Sequence, residues 1–274
     1  MLINAKKFFD ILNKNNYCFI FILKIINLMN KNDIFETDDQ TLPQNIFLSK
    51  IKLKSPFEEI KTYYNENKQN IDLTKRDIDK NLPLQISVYS KDYNSTKLII
   101  ENFKNKDDIN LQNSLGWSAL HTSCALKDTN EITQLLLLND SDINLLNKNN
   151  QTPLHIACGK NRVENIQILL SSTKINLNII DYNGFTPLIK AAASQSYEAI
   201  NALLMDKDVK LNIKDKLGNT ALHYVCEDNK YDVAVKLIQC GADINIENND
   251  KKNPLNLIRD SNVRDIILSY IKTH

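Results

Sequence analysis

Apolar residues recur along this chain at a long, fixed period. Leu135, Leu169, Leu203 and Leu237 stand 34 residues apart, and the first three sit in the local sets Ile132/Leu135/Leu136, Ile166/Leu169/Leu170 and Ile200/Leu203/Leu204. Spacing of i, i+3, i+4 puts apolar side chains on one face of a helix, so each set predicts a helix buried along one side. A second string moves in step with the first. Leu82-Pro83-Leu84-Gln85, Ser118-Ala119-Leu120-His121, Thr152-Pro153-Leu154-His155, Thr186-Pro187-Leu188-Ile189, Thr220-Ala221-Leu222-His223 and Asn253-Pro254-Leu255-Asn256 begin 36, 34, 34, 34 and 33 residues apart. A third register, Asn110, Asn144, Asn178, Asn212 and Asn245, falls eight residues before the Thr-like position. Three synchronous registers define one supersecondary unit, repeated near a 33-residue period.

Each part of the unit has a physical reason. A Thr or Ser at the start of the string accepts a hydrogen bond from a free backbone N–H, and proline at the first helical position lacks the N–H that would otherwise be orphaned. Thr152-Pro153 and Thr186-Pro187 therefore open helices. Gly116, Gly184 and Gly218, two residues before the string, supply the positive-φ turn of a hairpin finger, and Asn150 adopts the same conformation at some cost. In the first and last copies we assign this position to Lys80 and Lys252, so those turns are expected to be degenerate.

The pattern resembles the ankyrin family, in which a hairpin finger and two antiparallel helices form a unit and stacked units share a core. The resemblance implies an all-α repeat fold, an ankyrin-repeat solenoid of about seven repeats with helix pairs joined by β-hairpin fingers. Ser55-Pro56-Phe57-Glu58-Glu59-Ile60 with Ile71-Asp72-Leu73 reads as the second helix and tail of a first repeat whose opening string has eroded. The expected organisation is an N-terminal extension over 1–42 and a repeat domain over 43–274. Its units lie at about 43–75, 76–111, 112–145, 146–179, 180–213, 214–246 and 247–274.

Composition adds little to this and removes several alternatives. Thirty-four basic side chains against 33 acidic ones give a net charge of +1, so no global field attracts nucleic acid or an anionic membrane. The five cysteines, Cys18, Cys124, Cys158, Cys226 and Cys240, are odd in number and widely spaced, which fits reduced thiols in an intracellular, reducing compartment better than a disulfide framework. Residues 17–29 form the most apolar stretch, too short and interrupted to span a bilayer and without a small-residue cleavage site. Translation starting at Met29 is an alternative for this region. No membrane association is expected.

Candidate chemistry is sparse. His121 and Cys124, His155 and Cys158, and His223 and Cys226 form a recurring His-x-x-Cys array. Zinc needs its ligands within roughly 2.0–2.3 Å of one point, whereas equivalent positions on stacked helices lie about 8–10 Å apart. The histidines are instead expected to bond neighbouring backbone turns and the cysteines to fill small buried sites. There is no Gly-rich phosphate loop, paired-carboxylate site or nucleophile elbow, so neither an enzyme nor a cofactor is expected. Trp117 beside Gly116 is expected to be exposed, either as a hot spot or as a brace for the next finger.

The residues that vary between copies narrow the resemblance further. Leu115-Gly116-Trp117-Ser118-Ala119-Leu120-His121, Gly159-Lys160-Asn161-Arg162-Val163-Glu164 and Gly218-Asn219-Thr220-Ala221-Leu222-His223, with Ile246-Glu247-Asn248, resemble the gankyrin family of ankyrin-repeat proteins over about residues 43–274. That resemblance implies a chaperone of proteasome regulatory-particle assembly, a monomer when free, gripping the C-terminal domain of a proteasomal AAA ATPase subunit on its concave face. It places the contact at Asp79, Trp117, Lys160 and Arg162, the last two meeting carboxylates on the ATPase. Asn81 stands where the family carries a basic residue, and Tyr224-Val225-Cys226-Glu227-Asp228 departs from the family's retinoblastoma-binding motif, so that interaction is not carried over. The competing expectation is a general ankyrin adaptor for a kinase or a membrane-associated protein.

Overall fold

The computed structural model describes residues 42–77 and 80–273, within one compact unit spanning Thr41–His274. The apolar stretch at 17–29, Met29 and Asp79 lie outside the described residues. The first described helix spans Leu42–Lys52.

The described residues form seven helix pairs: α1 (Leu42–Lys52) with α2 (Phe57–Asn67), α3 (Pro83–Tyr89) with α4 (Tyr93–Glu101), α5 (Ala119–Ala125) with α6 (Asn130–Leu138), α7 (Pro153–Gly159) with α8 (Val163–Leu170), α9 (Pro187–Ala193) with α10 (Tyr197–Leu203), α11 (Ala221–Glu227) with α12 (Tyr231–Gln239), and α13 (Pro254–Leu257) with α14 (Ser261–Thr273). First helices of successive pairs pack on one another, and so do the second helices. The two rows enclose one continuous core, in which Leu120, Leu154, Leu188 and Leu222 from the repeated string face Leu136, Ile166, Leu169 and Ile200 from the second helices. Burying each such side chain contributes about 1.5–3 kcal/mol, and helices of seven to nine residues depend on it because they are too short to persist alone.

The helix starts follow the sequence logic. Thr152 and Thr186 accept from the backbone N–H of His155 (3.3 Å) and Ile189 (3.2 Å), with proline at the next position. Gly116 has φ +76, and a Cβ there would stand 2.6 Å from the backbone nitrogen of Lys148 in the next finger, so the turn needs glycine for space as well as conformation.

Two expectations about the fingers are corrected. No β-strand is present among the described residues. Each finger is a single tight turn, as where Asn147 N–H donates to Gln151 O and Asn150 N–H to Asn147 O, and it is too short to build a ladder. The first and last turns are not degenerate. The residue two before Asn253 is Lys251, not Lys252, and both Lys80 (φ 62) and Lys251 (φ 59) adopt the left-handed conformation that Asn150 (φ 56) also takes. Neighbouring side chains hold them there: Asn248 Oδ1 accepts from the N–H of Asp250 and Lys252, and Asp77 Oδ1 from that of Asn81.

Candidate protein-binding surface

The fingers join into one row through a backbone bond at each described tip. Lys148 N–H donates to Leu115 O (3.2 Å), Tyr182 to Asn149 O (3.1 Å), Lys216 to Asn183 O (3.1 Å) and Asn249 to Leu217 O (3.0 Å). Inside each finger an Asx turn fixes the tip. Asn113, Asn147, Asp181, Asp215 and Asn248 each accept from the N–H groups two and four residues ahead. This row displays large apolar side chains to solvent, Leu115 (63% exposed), Tyr182 (55%) and Leu217 (63%), interspersed with the exposed Lys148 and Lys216. A continuous row with aromatic and aliphatic anchors and polar surroundings has the make-up of a protein-recognition surface.

The sequence-derived site residues fall in different settings. Trp117 is half-buried, not exposed: it packs against the core with its ring 6.2 Å from that of His121, and its carbonyl accepts from Gln85 Nε2. Its backbone carbonyl thus joins the second repeat to the third, while Leu115 two residues earlier takes the more exposed apolar position. Lys160 caps the C-terminus of α7 and is exposed. Arg162, two residues on, is half-buried, and its Nε donates to Ala125 O at the end of α5 (3.1 Å), where a cation also complements the helix dipole. The structure thus separates the two cations, Lys160 facing solvent and Arg162 tying the third repeat to the fourth. Asp79, outside the described residues, has no structural setting here.

The His/Cys array is structural. The Nε2–H of His121, His155 and His223 donates to the carbonyl of Gln151 (3.0 Å), Phe185 (2.9 Å) and Lys252 (3.2 Å) in the following repeat. The Nδ1 of each ring accepts from the backbone N–H of the residue opening its own string, at 3.1–3.2 Å. Both ring nitrogens are committed, which fixes the neutral Nε2–H tautomer. Burial depresses all three imidazoles, His121 from 6.5 to about 4. Burial likewise pushes the thiols of Cys124 and Cys226 up to about 12 and that of Cys158 well above its ordinary value, so none is a reactive thiolate. Among the described residues, no group of three or more His, Cys, Asp or Glu is placed to hold a metal ion, and no helix is long and apolar enough to cross a membrane.

A stack of short helix pairs with an exposed finger row defines a repeat solenoid that presents a surface rather than a pocket. Residues 123–215 match the family model for ankyrin repeats, in three copies, and residues 217–249 match that for a single ankyrin repeat. Residues 123–215 and 217–249 are thus ankyrin repeats, and the chain has the fold of an ankyrin-repeat solenoid; domains of this type are typically non-enzymatic protein-interaction domains. Among solved structures, the ankyrin repeat domain of Bcl-3, described as a unique member of the IkappaB protein family, is similar with a TM-score of 0.70 and 21% identity over 81% of this chain and 97% of that one. In all, 538 solved chains match, so the fold alone does not select a partner. No curated protein sequence matches the chain.

Proposed function

We propose that this protein is a gankyrin-type chaperone of proteasome regulatory-particle assembly, holding the C-terminal domain of one AAA ATPase subunit against its fingers and first helices in the cytoplasm and nucleus. The observation that carries this reading is the segment Gly159–Glu164. The sequence there resembles the gankyrin family, and its Lys160 projects freely from the turn at the end of α7. An exposed cation at a rim sets association rate and register with a carboxylate partner more than raw affinity. Arg162 contributes to this surface by fixing the turn that presents Lys160, through its bond to Ala125 O.

Affinity purification of the tagged chain from its own cells, read by quantitative mass spectrometry, tests the reading. Proteasomal ATPase subunits are expected to dominate the eluate. Good recovery of the bait without them, with a kinase or a membrane-associated protein instead, rejects the proteasomal role in favour of a general ankyrin adaptor.

A further inference from the structure

Three positions in each repeat can bond the backbone of the next, and the joints use them unequally. Between the second and third pairs, Gln85 bonds Trp117 O while Lys91, at the second position, pairs with Asp128; one later joint departs at all three. At the joint between the fourth and fifth pairs, His155 donates to Phe185 O, and Asn161 accepts from the backbone N–H of Ala199 (3.0 Å). Asn178 there bridges both Lys210 N–H and Asp208 O at 2.8 Å. At the joint between the sixth and seventh pairs, His223 donates to Lys252 O, and Asn229 accepts from the N–H of Arg259 and Asp260. Between the fifth and sixth pairs, all three positions differ. Ile189 occupies the histidine position, buried and without a polar group to offer. Gln195 occupies the place of Asn161 and Asn229, with the same left-handed backbone (φ 56), but its side chain reaches the Asp228 carboxylate (3.0 Å) instead of a backbone amide. Asn212 keeps its bond from Asp243 N–H (2.9 Å), while its bond to Gly241 O is stretched to 3.4 Å.

What replaces these bonds is apolar contact and pairing between side chains, exposed for Gln195 and part-buried for Tyr197 and Lys236. Phe185 and Tyr224 meet edge to face at 5.9 Å across the joint. Asp228 also accepts from Tyr197 Oη (3.1 Å), and Lys236 donates to Asn201 (2.8 Å). Hydrogen bonds to backbone groups fix the angle between repeats because they are directional. Apolar contact does not, since it depends on area rather than orientation, and packed helices sharing such a contact slide by small shears. Bonds between the ends of long, flexible side chains fix the angle between repeats less tightly than bonds to backbone groups, because the side chains can follow a small shift.

We infer that the joint between the fifth and sixth helix pairs is the hinge of the stack, about which residues 214–273 rock against residues 42–213. Such a hinge adjusts the line of the finger row between Tyr182 and Leu217, so a partner spanning both blocks would set its angle. The inference holds whichever partner the chain takes.

Hydrogen exchange of the joint amides, followed by NMR on the full chain, tests it. The amides of Lys216 and Asp243 cross the proposed hinge, those of Tyr182 and Lys210 cross the preceding joint, and that of Asn249 crosses the next one. Losing directional bonds, each equivalent to about a fivefold change in an equilibrium, should make Lys216 and Asp243 exchange about tenfold faster than the other three. In Ile189→His, which restores a donor aimed at Asn219 O, that difference should shrink by about fivefold. Exchange that rises steadily toward the C-terminus, with Asn249 fastest, would indicate simple fraying and overturn the hinge, as would an unchanged pattern in a folded Ile189→His protein. Should that variant lose the protection of its helix amides, Asn161→Gln, which puts the hinge's residue into the preceding joint, decides. Faster exchange at Tyr182 and Lys210, approaching that of Lys216 and Asp243, supports the hinge, and no change at either overturns it.

Discussion

Gln85 does with an amide what His121 does with an imidazole. It accepts from the N–H of Leu82 (3.2 Å) and donates to the carbonyl of Trp117 in the next repeat. The difference is titration. A folded-state value depressed from 6.5 to about 4 means the unfolded chain takes up the proton first. Stability from neutral His121 is therefore complete above about pH 6.5 and is lost as pH falls toward 4, by on the order of 3 kcal/mol. His155 and His223, depressed in the same direction, add to the loss. His121→Gln is expected to stay within about 1 kcal/mol of the parent near pH 7 and to lose less stability on acidification, which urea unfolding at about pH 7.5 and 4.5 would measure. An equal acid loss in parent and variant would show that other groups control it. Arg162 carries the opposite lesson at this scale: as a letter it reads as a surface cation, and only its distance to Ala125 O shows it holding two repeats together.

The element that repeats most faithfully is the link between pairs. Asn144 accepts from Asn176 N–H (2.9 Å) and donates to Lys174 O (2.8 Å), closing the turn that follows the next pair of helices. Asn144→Ala is expected to cost about 1–2 kcal/mol in equilibrium unfolding, while Asn245→Ala, at the same register but exposed and making no side-chain bond to the seventh pair, should cost under about 0.5 kcal/mol. Similar costs at both sites would deny the clip its inter-repeat role. The asparagine register was visible in the sequence as spacing, but its purpose was not, because both partners lie about thirty residues away. The Asx turns were harder still to read. Asp77, Asn113, Asn147, Asp181, Asp215 and Asn248 stand five residues before each string, yet the position alternates between two residue types that share an acceptor oxygen. That same oxygen holds Lys80 and Lys251 in a left-handed turn that their identity argues against. Helix faces, by contrast, were legible throughout, since apolar spacing reports burial directly.

Across the whole stack, the core is uniform and the surface is not. Buried leucines and isoleucines recur from α1 to α14, whereas the exposed Leu115, Lys148, Tyr182, Lys216 and Leu217 differ from finger to finger. Period and caps specify the solenoid, and the differing tips give it a surface that varies from repeat to repeat, as the proposed binding role requires. Sequence resemblance drew attention to Lys160 and Trp117, but exposure was not readable from either letter, and the finger tips emerged only once the turns were placed. The most direct test of the proposed role is titration of the purified chain with the isolated C-terminal domains of the proteasomal ATPase subunits, read by calorimetry. One of them should form a saturable one-to-one complex that Lys160→Glu weakens about tenfold, in keeping with a rim ion pair in an otherwise intact interface. Absence of binding to every such domain, by a chain whose helical signal is intact, would contradict the account.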